Sequence, residues 1–472
     1  MKKIKSIVLI LSIILTVFSA NATITVASIL GNNMVMQRNS EVKIWGKAEA
    51  NKKLKITTGW NKAVVAVTAD TNGDWLVKVK TTDAGGPYVI SIESGKEKIK
   101  LENILLGEVW LCSGQSNMEM PMLGFGYQPV IGSGDALLNA DNQNLRLFTV
   151  KKAPMATPQN LCNGKWDLAN ASTVGKFSAV GYYYARLLQQ KLKVPVGIIC
   201  SSVGGTPIEA WMSGKTLADF PELFEKSKKA SAEQSRASHL FNGMIHPLVN
   251  YTIKGVLWYQ GEANRKDYMY YPDLLEAMVS SWRSDFGVGE FPFYYVQIAP
   301  YSYGDSNALV SASMRDAQLK AMASIPNSGM VCTLDLGSES WIHPAEKETV
   351  GKRLASWALS ETYGFKGIPY KSPTYKSMEV KDNVVTISFN DAPFGITSFD
   401  KNVDCFELAG ADRIFYPATM TKMNNEFRKI QVVSDKVASP VALRYAFKNF
   451  PKTEGYLFSS TGLPVPSFRT DD

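Results

Sequence analysis

The stretch GEVWLCSGQS, residues 107–116, contains the pattern on which the fold of the chain depends. Its first half is a short apolar run of the kind that forms a buried β-strand, and its second half is small and polar. Ligands bind at strand ends in an open α/β sheet, so a serine at this point is a candidate nucleophile. A serine-rich turn is the common alternative, and this stretch taken alone favours the turn.

Four further apolar runs follow in the middle of the chain, and they have the same character. They read VPVGIICSS, IKGVLWYQ, FPFYYVQIA and SGMVCTLDL. Residues 180–192 and 345–363 instead carry apolar residues at three- and four-residue spacing, which is typical of amphipathic helices. Continuously apolar strands joined by helices predict a parallel sheet that is covered on both faces.

The sequence on either side of this region alternates between apolar and polar residues, with turn signals between short runs. Such alternation is typical of antiparallel strands with one buried face. We therefore expect an N-terminal β-domain at 23–104, a catalytic α/β domain at 105–366 and a C-terminal β-domain at 367–472.

The first 22 residues have the pattern of a secretory signal peptide. Three lysines precede an apolar run at 7–18, and Ala-Asn-Ala at 20–22 matches an A-x-A cleavage site. The apolar run is too short to span a bilayer as a permanent helix. We expect cleavage near Ala22, a secreted or periplasmic mature protein, and no integral membrane segment within it.

Composition argues against several classes of function. Lys and Arg number 51 against 43 Asp and Glu, a mild surplus without basic clusters, so we expect no nucleic-acid partner. The five cysteines are widely spaced, and Cys112, Cys200 and Cys332 lie in apolar runs, which indicates buried thiols. Only three histidines occur, without C-x-x-C or H-E-x-x-H spacing, so we expect neither a metal site nor a cofactor.

Polar, glycine-containing segments follow the strands of the middle region. They include SGQSNM, Val-Gly-Gly-Thr at 203–206, Gln-Gly-Glu-Ala-Asn at 260–264, and SESWIHP with His343. The carboxyl ends of parallel strands lie along one edge of a sheet, so these segments should converge. Each signal alone is usually structural, but their coincidence at four strand ends favours a catalytic site.

Acyl transfer by serine requires a hydroxyl, a base and donors for the oxyanion. Ser116 is the candidate nucleophile. His343 is the candidate base because it follows a strand and precedes a helix, whereas His246 is a weaker candidate and His239 is interpreted as a surface residue.

The predicted oxyanion hole consists of backbone and side-chain donors from three segments. The backbone N–H groups of Ser116 and Gly205 are two of them, and the side-chain amide of Gln260 or Asn264 is the third. Gly205 suits this role because a residue without Cβ lets the backbone approach a ligand closely.

Four motif blocks resemble those of the sialate O-acetylesterase family within the SGNH hydrolase superfamily. They are GEVWLCSGQSNMEMPM, SSVGGTPIEAWM, LWYQGEANR and IHPAEKETVGKRLA. The resemblance implies an α/β fold with a flavodoxin-like three-layer parallel sheet, flanked by β-sandwich-like domains. It also implies a serine carboxylic-ester hydrolase that removes O-acetyl groups from carbohydrates without a metal.

Carried over to this chain, the resemblance implies Ser116 as nucleophile and His343 as general base. Ser116, Gly205 and Gln260 match the oxyanion-hole positions, with Asn264 as a second candidate for the last role. The chain departs from the D-x-x-H pattern of SGNH enzymes, because Ser340 occupies the position of the acid. Asp335, which leaves a strand end, is the predicted orienting acid. Glu339 and a backbone carbonyl are alternatives.

The predicted partner is an O-acetylated carbohydrate, either sialic acid or hemicellulose. Sialic acid carries a carboxylate, for which Arg265 is the candidate bidentate partner. An acetylxylan or hemicellulose acetylesterase is the alternative of the same class. A catalytically inactive carbohydrate-binding protein is the alternative of another class. The sequence leaves open which sugar and which acetyl position are used, the oligomeric state, the disulfide state and the role of the flanking β-domains.

Overall fold

The structure is a computed structural model that describes residues 23–421 and 428–471. The predicted signal peptide at 1–22 lies outside the described residues. Within the two described ranges, no helix combines the length and the apolar composition that crossing a membrane requires.

The strands, in chain order, have the following bounds: β1 (Thr25–Val26), β2 (Val35–Gln37), β3 (Glu41–Lys47), β4 (Lys53–Thr58), β5 (Val64–Thr68), β6 (Asp74–Lys80), β7 (Gly85–Ser94), β8 (Glu97–Gly114), β9 (Asn142–Thr149), β10 (Trp166–Ala169), β11 (Val196–Ser202), β12 (Gly255–Tyr259), β13 (Phe293–Val296), β14 (Ser328–Val331), β15 (Thr374–Lys381), β16 (Val384–Asn390), β17 (Ile396–Thr397), β18 (Phe406–Ala409), β19 (Phe415–Thr421), β20 (Lys429–Val433), β21 (Ala442–Tyr445), β22 (Phe458–Ser459) and β23 (Phe468–Arg469).

The α-helices are α1 (Ser116–Glu119), α2 (Ser133–Leu138), α3 (Ala171–Gly175), α4 (Ala179–Leu192), α5 (Gly214–Leu217), α6 (Pro221–Lys228), α7 (Tyr271–Phe286), α8 (Val310–Ser324) and α9 (Lys347–Trp357). Short 3-10 helices lie at Ile208–Trp211, Glu233–Ser235, His246–Leu248, Glu262–Tyr270 and Leu334–Leu336, and single π-helical turns lie at Phe241–Ile245 and Ala358–Thr362. Helix α4 begins one residue before the first segment predicted from apolar spacing and ends with it, and α9 lies within the second.

The largest sheet has its main path in the order β10-β9-β11-β8-β12-β13-β14. Every neighbouring pair from β9 to β14 is parallel, and β10 pairs antiparallel with β9. All five apolar runs of the middle region form strands of this path. The predicted mixed α/β class is confirmed.

Strand β8 shows why the middle strands are apolar throughout. Val109 and Leu111 pack in one hydrophobic cluster with residues of α7 and α8, whereas Trp110 and Cys112 pack in another with residues of α4 and α9. Alternate side chains of a strand point to opposite faces, so both faces of the sheet are buried under helices.

Strand β8 also joins the central sheet to the N-terminal region. Its first part pairs antiparallel with β7, and residues 105–107 pair parallel with β2, before the strand continues into the central sheet. The predicted boundary at residue 104 therefore lies inside one continuous strand. Strands β1, β3 and β6 form a separate antiparallel sheet.

The C-terminal region contains a seven-stranded antiparallel sheet in the order β15-β16-β20-β19-β18-β21-β23. Strands β17 and β22 form a small antiparallel pair beside it. The alternation seen in the sequence after residue 367 therefore corresponds to antiparallel pairing.

All five cysteines are free thiols. Cys112, Cys200 and Cys332 are buried, as their apolar surroundings in the sequence indicate. Cys112 and Cys200 occupy paired positions on the neighbouring strands β8 and β11, where they fill space between the sheet and its helices.

The register of the central strands determines where the site forms. Ser202 at the end of β11, Gly114 at the end of β8 and Tyr259 at the end of β12 are paired across the sheet. The segments that follow these three strands therefore leave the sheet side by side. These are the segments that contain Ser116, Gly205 and Gln260.

Candidate active site

Ser116 is presented by a sharp turn between β8 and α1. Gly114 has φ of +131°, and a Cβ at this position would lie 2.2 Å from the Tyr259 carbonyl oxygen. Only glycine fits this close approach of two backbones. The Gln115 N–H donates to the same carbonyl at 3.0 Å, and Ser116 then begins α1 as a half-buried residue. The N–H of a first helical residue has no partner within its helix, so it is available to a ligand.

The Val-Gly-Gly-Thr segment passes directly beside Ser116. A Cβ on Gly204 would lie 3.2 Å from the Ser116 Cβ, and the Gly204 N–H donates to Glu119 at 2.6 Å. Glu119 belongs to α1 and also pairs with Lys152 at 2.5 Å. Gly205 has φ of +73° and is exposed, and no described residue accepts its N–H. The carboxylate of Glu119 thus holds the loop that presents Gly205 against the helix that begins with Ser116.

Gln260 does not have a free amide N–H. Its Nε2 donates to the Thr206 carbonyl at 3.2 Å and to Asn264 Oδ1 at 2.7 Å, and the residue is fully buried. Its Oε1 accepts from the hydroxyl of Tyr271 at 2.9 Å. Both N–H bonds of this amide are used inside the protein, so the side chain anchors the loop that carries Gly205.

Asn264 is also buried, with 1% of its surface exposed, and it anchors the same loop. Its Oδ1 accepts from the Ile208 N–H at 2.9 Å, and its Nδ2 donates to Glu209 at 2.9 Å. Burial raises the pKa of the Glu209 carboxyl, although the bond from Asn264 opposes this. The two side-chain amides predicted as oxyanion donors thus lie behind the loop that carries Gly205 and hold its backbone.

His343 is half-buried on the segment before α9. Its Nδ1 lies 2.5 Å from Gln128 Oε1, and the Phe125 ring meets the imidazole edge-on with the ring centres 5.2 Å apart. Burial lowers the pKa of His343 to about 4, and the positive charge of Lys347 lowers it further in the same direction. Within the described ranges no hydrogen bond joins His343 to Ser116.

The residues next to Ser116 and His343 do contact each other. Asn117 donates from Nδ2 to the Ile342 carbonyl at 3.2 Å. This bond joins the turn that carries the nucleophile candidate to the segment that carries the base candidate. The structure therefore brings the Ser116, Gly205 and His343 segments together, as the strand-end argument predicts.

The other two histidines lie elsewhere in the fold. His246 Nδ1 lies 2.8 Å from the Gln159 carbonyl, and its ring packs against Phe241. His239 is not on the surface as interpreted: its side chain is 14% exposed, and its buried Nδ1 makes no hydrogen bond within the described residues, with a Glu233 carboxylate oxygen 3.8 Å away. The described contacts of these two rings are thus made with other segments than those of Ser116 and Gly205.

The structure does not bring Asp335 to His343. Both Asp335 oxygens accept from Arg353 of α9, at 2.8 and 2.7 Å. Glu339, the alternative acid, is exposed and accepts from Lys452 and Ser306, each at 2.8 Å. The place beside His343 Nδ1 is instead taken by the neutral side chain of Gln128, which sequence reasoning missed.

A buried polar network that the sequence did not reveal lies beneath Ser116. Lys347 donates to Asn117 Oδ1 at 2.5 Å, and Asn117 Nδ2 donates to Glu262 at 2.6 Å in addition to the bond to Ile342. The Lys347 ammonium also lies over the ring of Tyr259, 5.6 Å from its centre. One side chain, Asn117, thus connects the segments of the nucleophile, the base and the Gln-Gly-Glu motif.

Burial shifts the pKa values of the two ionisable side chains in this network. It lowers the pKa of Lys347 to about 7, against the opposing attraction of Glu262. It raises the pKa of Glu262, whose Oε2 is buried without a hydrogen-bond partner. Burying a lysine and a carboxyl that share one asparagine under a strand end costs desolvation free energy. Groups with pKa values perturbed in this way cluster at functional sites.

Arg265 lies on the 3-10 helix that follows the Gln-Gly-Glu motif. It is half-buried, stacks over the Tyr303 ring at 4.2 Å and donates to the Glu262 carbonyl at 3.4 Å. The guanidinium carries five N–H bonds, more than these contacts use. As for metals, residues 23–421 and 428–471 contain no group of three or more His, Cys, Asp or Glu side chains that could hold an ion.

A family model described as carbohydrate esterase, sialic acid-specific acetylesterase, matches residues 106–360, which is more than half of the chain. The chain belongs to the sialate O-acetylesterase family. The matched residues run from the middle of β8 to the π-helical turn after α9, so they include Ser116, Gly205, Gln260 and His343.

Relatives across the whole length support the same assignment. Sialate O-acetylesterases from Pongo abelii and Homo sapiens are each 30% identical to the chain, over 95% of this chain and 93% of theirs. The crystal structure of a carbohydrate acetylesterase from Xanthomonas citri is 32% identical, with a TM-score of 0.86, over 95% of this chain and all of that one. Family and relatives support a carbohydrate O-acetylesterase, a hydrolase of the esterase type.

Proposed function

We propose that the protein removes acetyl groups from sugar hydroxyls, with O-acetylated sialic acid as its substrate, through an acetyl-enzyme on Ser116. The observation that carries the proposal is the junction of the Ser116 and His343 segments through Asn117, at the strand ends of a chain in the sialate O-acetylesterase family. A fold alone hosts many functions, so the geometry of this site carries the functional assignment.

In the first half of the reaction, Ser116 Oγ attacks the acetyl carbonyl carbon and its proton passes to His343 Nε2. The N–H groups of Ser116 and Gly205 donate to the oxyanion of the tetrahedral intermediate. The intermediate collapses, the sugar oxygen leaves with the proton from His343, and acetyl-Ser116 remains.

In the second half, His343 Nε2 takes a proton from water as the water attacks the acetyl carbonyl. Collapse of this intermediate releases acetate and returns the proton to Ser116. The nearly complete burial of Gln260 and Asn264 supports an oxyanion hole made of backbone N–H groups, with these two amides holding the Gly205 loop.

The test is acetate release from O-acetylated sialic acid and from acetylated xylan, measured in parallel. The Ser116→Ala variant should lose activity on both, whereas Ser340→Ala, an exposed residue of the His343 segment, serves as the matched control and should retain it. Faster release from sialic acid supports the proposed substrate. Faster release from xylan would assign the enzyme to hemicellulose, and unchanged activity of Ser116→Ala would reject the serine mechanism.

A further inference from the structure

The loop at residues 121–128 is built to hold one side chain against His343. Phe125 and Gln128 exchange backbone hydrogen bonds of 3.1 and 3.0 Å, which close a tight turn. Gly124 has φ of +78°, and a Cβ there would lie 2.4 Å from the Gln128 carbonyl oxygen. The Met122 N–H donates to the Phe177 carbonyl at 3.0 Å, which ties the turn to the segment before α4. The position of Gln128 is therefore fixed by its backbone.

The contact of Gln128 with His343 determines which imidazole nitrogen holds the proton. An amide oxygen can only accept, so Nδ1 of His343 is the donor in the 2.5 Å contact with Gln128 Oε1. Nε2 then has a free lone pair. This is the tautomer that a general base needs in order to take a proton from a serine hydroxyl.

The carboxylates near His343 are engaged elsewhere. Asp335 pairs with Arg353, and Glu339 pairs with Lys452. Glu262 accepts from Asn117, which also bonds to Lys347 and to the Ile342 carbonyl. Glu119 pairs with Lys152, and Glu348 pairs with Arg186 and Lys352. Glu346, three residues after His343, accepts from the Thr349 hydroxyl at 3.4 Å.

We propose that Gln128 is the positioning residue of the general base, and that this neutral amide fixes the tautomer and the orientation of His343 where other serine hydrolases use an acid. This inference rests on the proposed function. A carboxylate would favour the protonated imidazole, whereas an amide orients the ring without favouring its charge. The site thus keeps His343 neutral at acidic pH, in agreement with the lowered pKa that burial and Lys347 produce.

The experiment compares the pH profile of kcat/KM for wild type, Gln128→Glu and Gln128→Ala. Gln143→Glu, at an exposed position, is the control for added negative charge. In Gln128→Glu the carboxylate should raise the pKa of the acid limb by about one unit or more. In Gln128→Ala, kcat should fall roughly tenfold to a hundredfold at unchanged KM, since an unoriented base loses most of its contribution.

Two results would overturn the inference. One is an acid limb that lies at the same pH in Gln128→Glu, Gln143→Glu and wild type. The other is a kcat of Gln128→Ala within about twofold of wild type, because loss of a positioned base should lower kcat by more than that. If Gln128→Ala does not fold, the profile of Gln128→Glu decides alone. Activity that survives in Ser116→Ala marks failure of the proposed function instead, so the two failures are distinguishable.

Discussion

Asn117 Nδ2 donates to the Ile342 carbonyl at 3.2 Å, and these two residues are the immediate neighbours of Ser116 and His343. The same Nδ2 donates to Glu262, and Asn117 Oδ1 accepts from Lys347. Both polar atoms of one buried side chain are thus used to fix the segments of the nucleophile and the base relative to each other. Placement of this kind matters because displacing a reacting group by about 1 Å costs roughly a hundredfold in rate.

The first prediction concerns pH. His343 must be neutral to act as a base, and burial together with Lys347 lowers its pKa to about 4. The kcat/KM of the wild-type enzyme, which reports the free enzyme, should therefore stay level from neutral pH to about pH 5 and fall only near pH 4. Initial rates of acetate release between pH 3.5 and about 8 measure this. An acid limb near the ordinary histidine value of about 6.5 would contradict the assignment.

The second prediction concerns Lys347. Replacing it by methionine removes the donor to Asn117 Oδ1, so kcat should fall by about tenfold or more through misplacement of Ser116. Lys352→Met is the matched control, because Lys352 lies on the same helix and pairs at the surface with Glu348. Equal kcat values for the two variants would show that the buried ammonium does not position the site.

Lys347 also predicts a pH dependence of stability. Its pKa is lowered to about 7 in the folded protein, so between pH 7 and its ordinary value near 10.5 the unfolded chain binds more protons. Stability contributed by this group therefore rises with pH over that window. The wild type should gain thermal stability relative to Lys347→Met as the pH rises from 7 to about 9, and a constant difference in Tm would contradict this.

The third prediction separates an anchor from an oxyanion donor at Gln260. The Gln260→Ala variant leaves the Thr206 carbonyl without its donor and removes one of the two donors to Asn264 Oδ1, which should lower the free energy of unfolding by about 1–3 kcal/mol. A pure oxyanion donor would instead lower kcat roughly a hundred- to a thousandfold without affecting stability. Urea unfolding and kcat measured on the same preparation distinguish the two roles.

The fourth prediction concerns Arg265 as the partner of the sialic acid carboxylate. Arg265→Ala should raise KM for acetylated sialic acid about tenfold or more, and it should leave a neutral acetylated sugar unaffected. Arg265→Lys should restore only part of the loss, because lysine lacks the planar bidentate fork. Equal effects on both substrates would remove Arg265 from this role and leave it as a residue that stacks on Tyr303.

The sequence predicted what strand periodicity determines. Apolar runs gave the parallel strands, and the rule that their carboxyl ends share one edge placed Ser116, Gly205 and Gln260 on neighbouring segments. The His343 segment joins them through Asn117. The same rule predicts that this segment meets the others at the edge of the sheet, but it does not predict which atoms are in contact.

The sequence could not give contacts between side chains that are far apart in the chain. Gln128 and His343 are separated by 215 positions, and Asn117 and Lys347 by 230, so neither pair leaves a local pattern. Its place at a strand end pointed to Asp335 as the orienting acid, but an arginine on one face of α9 holds that carboxylate. Burial of Gln260 and Asn264 likewise depends on tertiary packing and not on their position after a strand.

The most direct test of the proposed serine mechanism is the site of acetylation. The enzyme is mixed with O-acetylated sialic acid, quenched in acid within the first turnover, digested and analysed by mass spectrometry. An acetyl-enzyme on Ser116 predicts one acetyl group on the peptide that contains Ser116, and none in the Ser116→Ala protein. Two results would contradict the acetyl-enzyme on Ser116. One is an acetyl group on another residue. The other is acetate release at the same rate by wild type and by Ser116→Ala, with no acetylated peptide in the wild type.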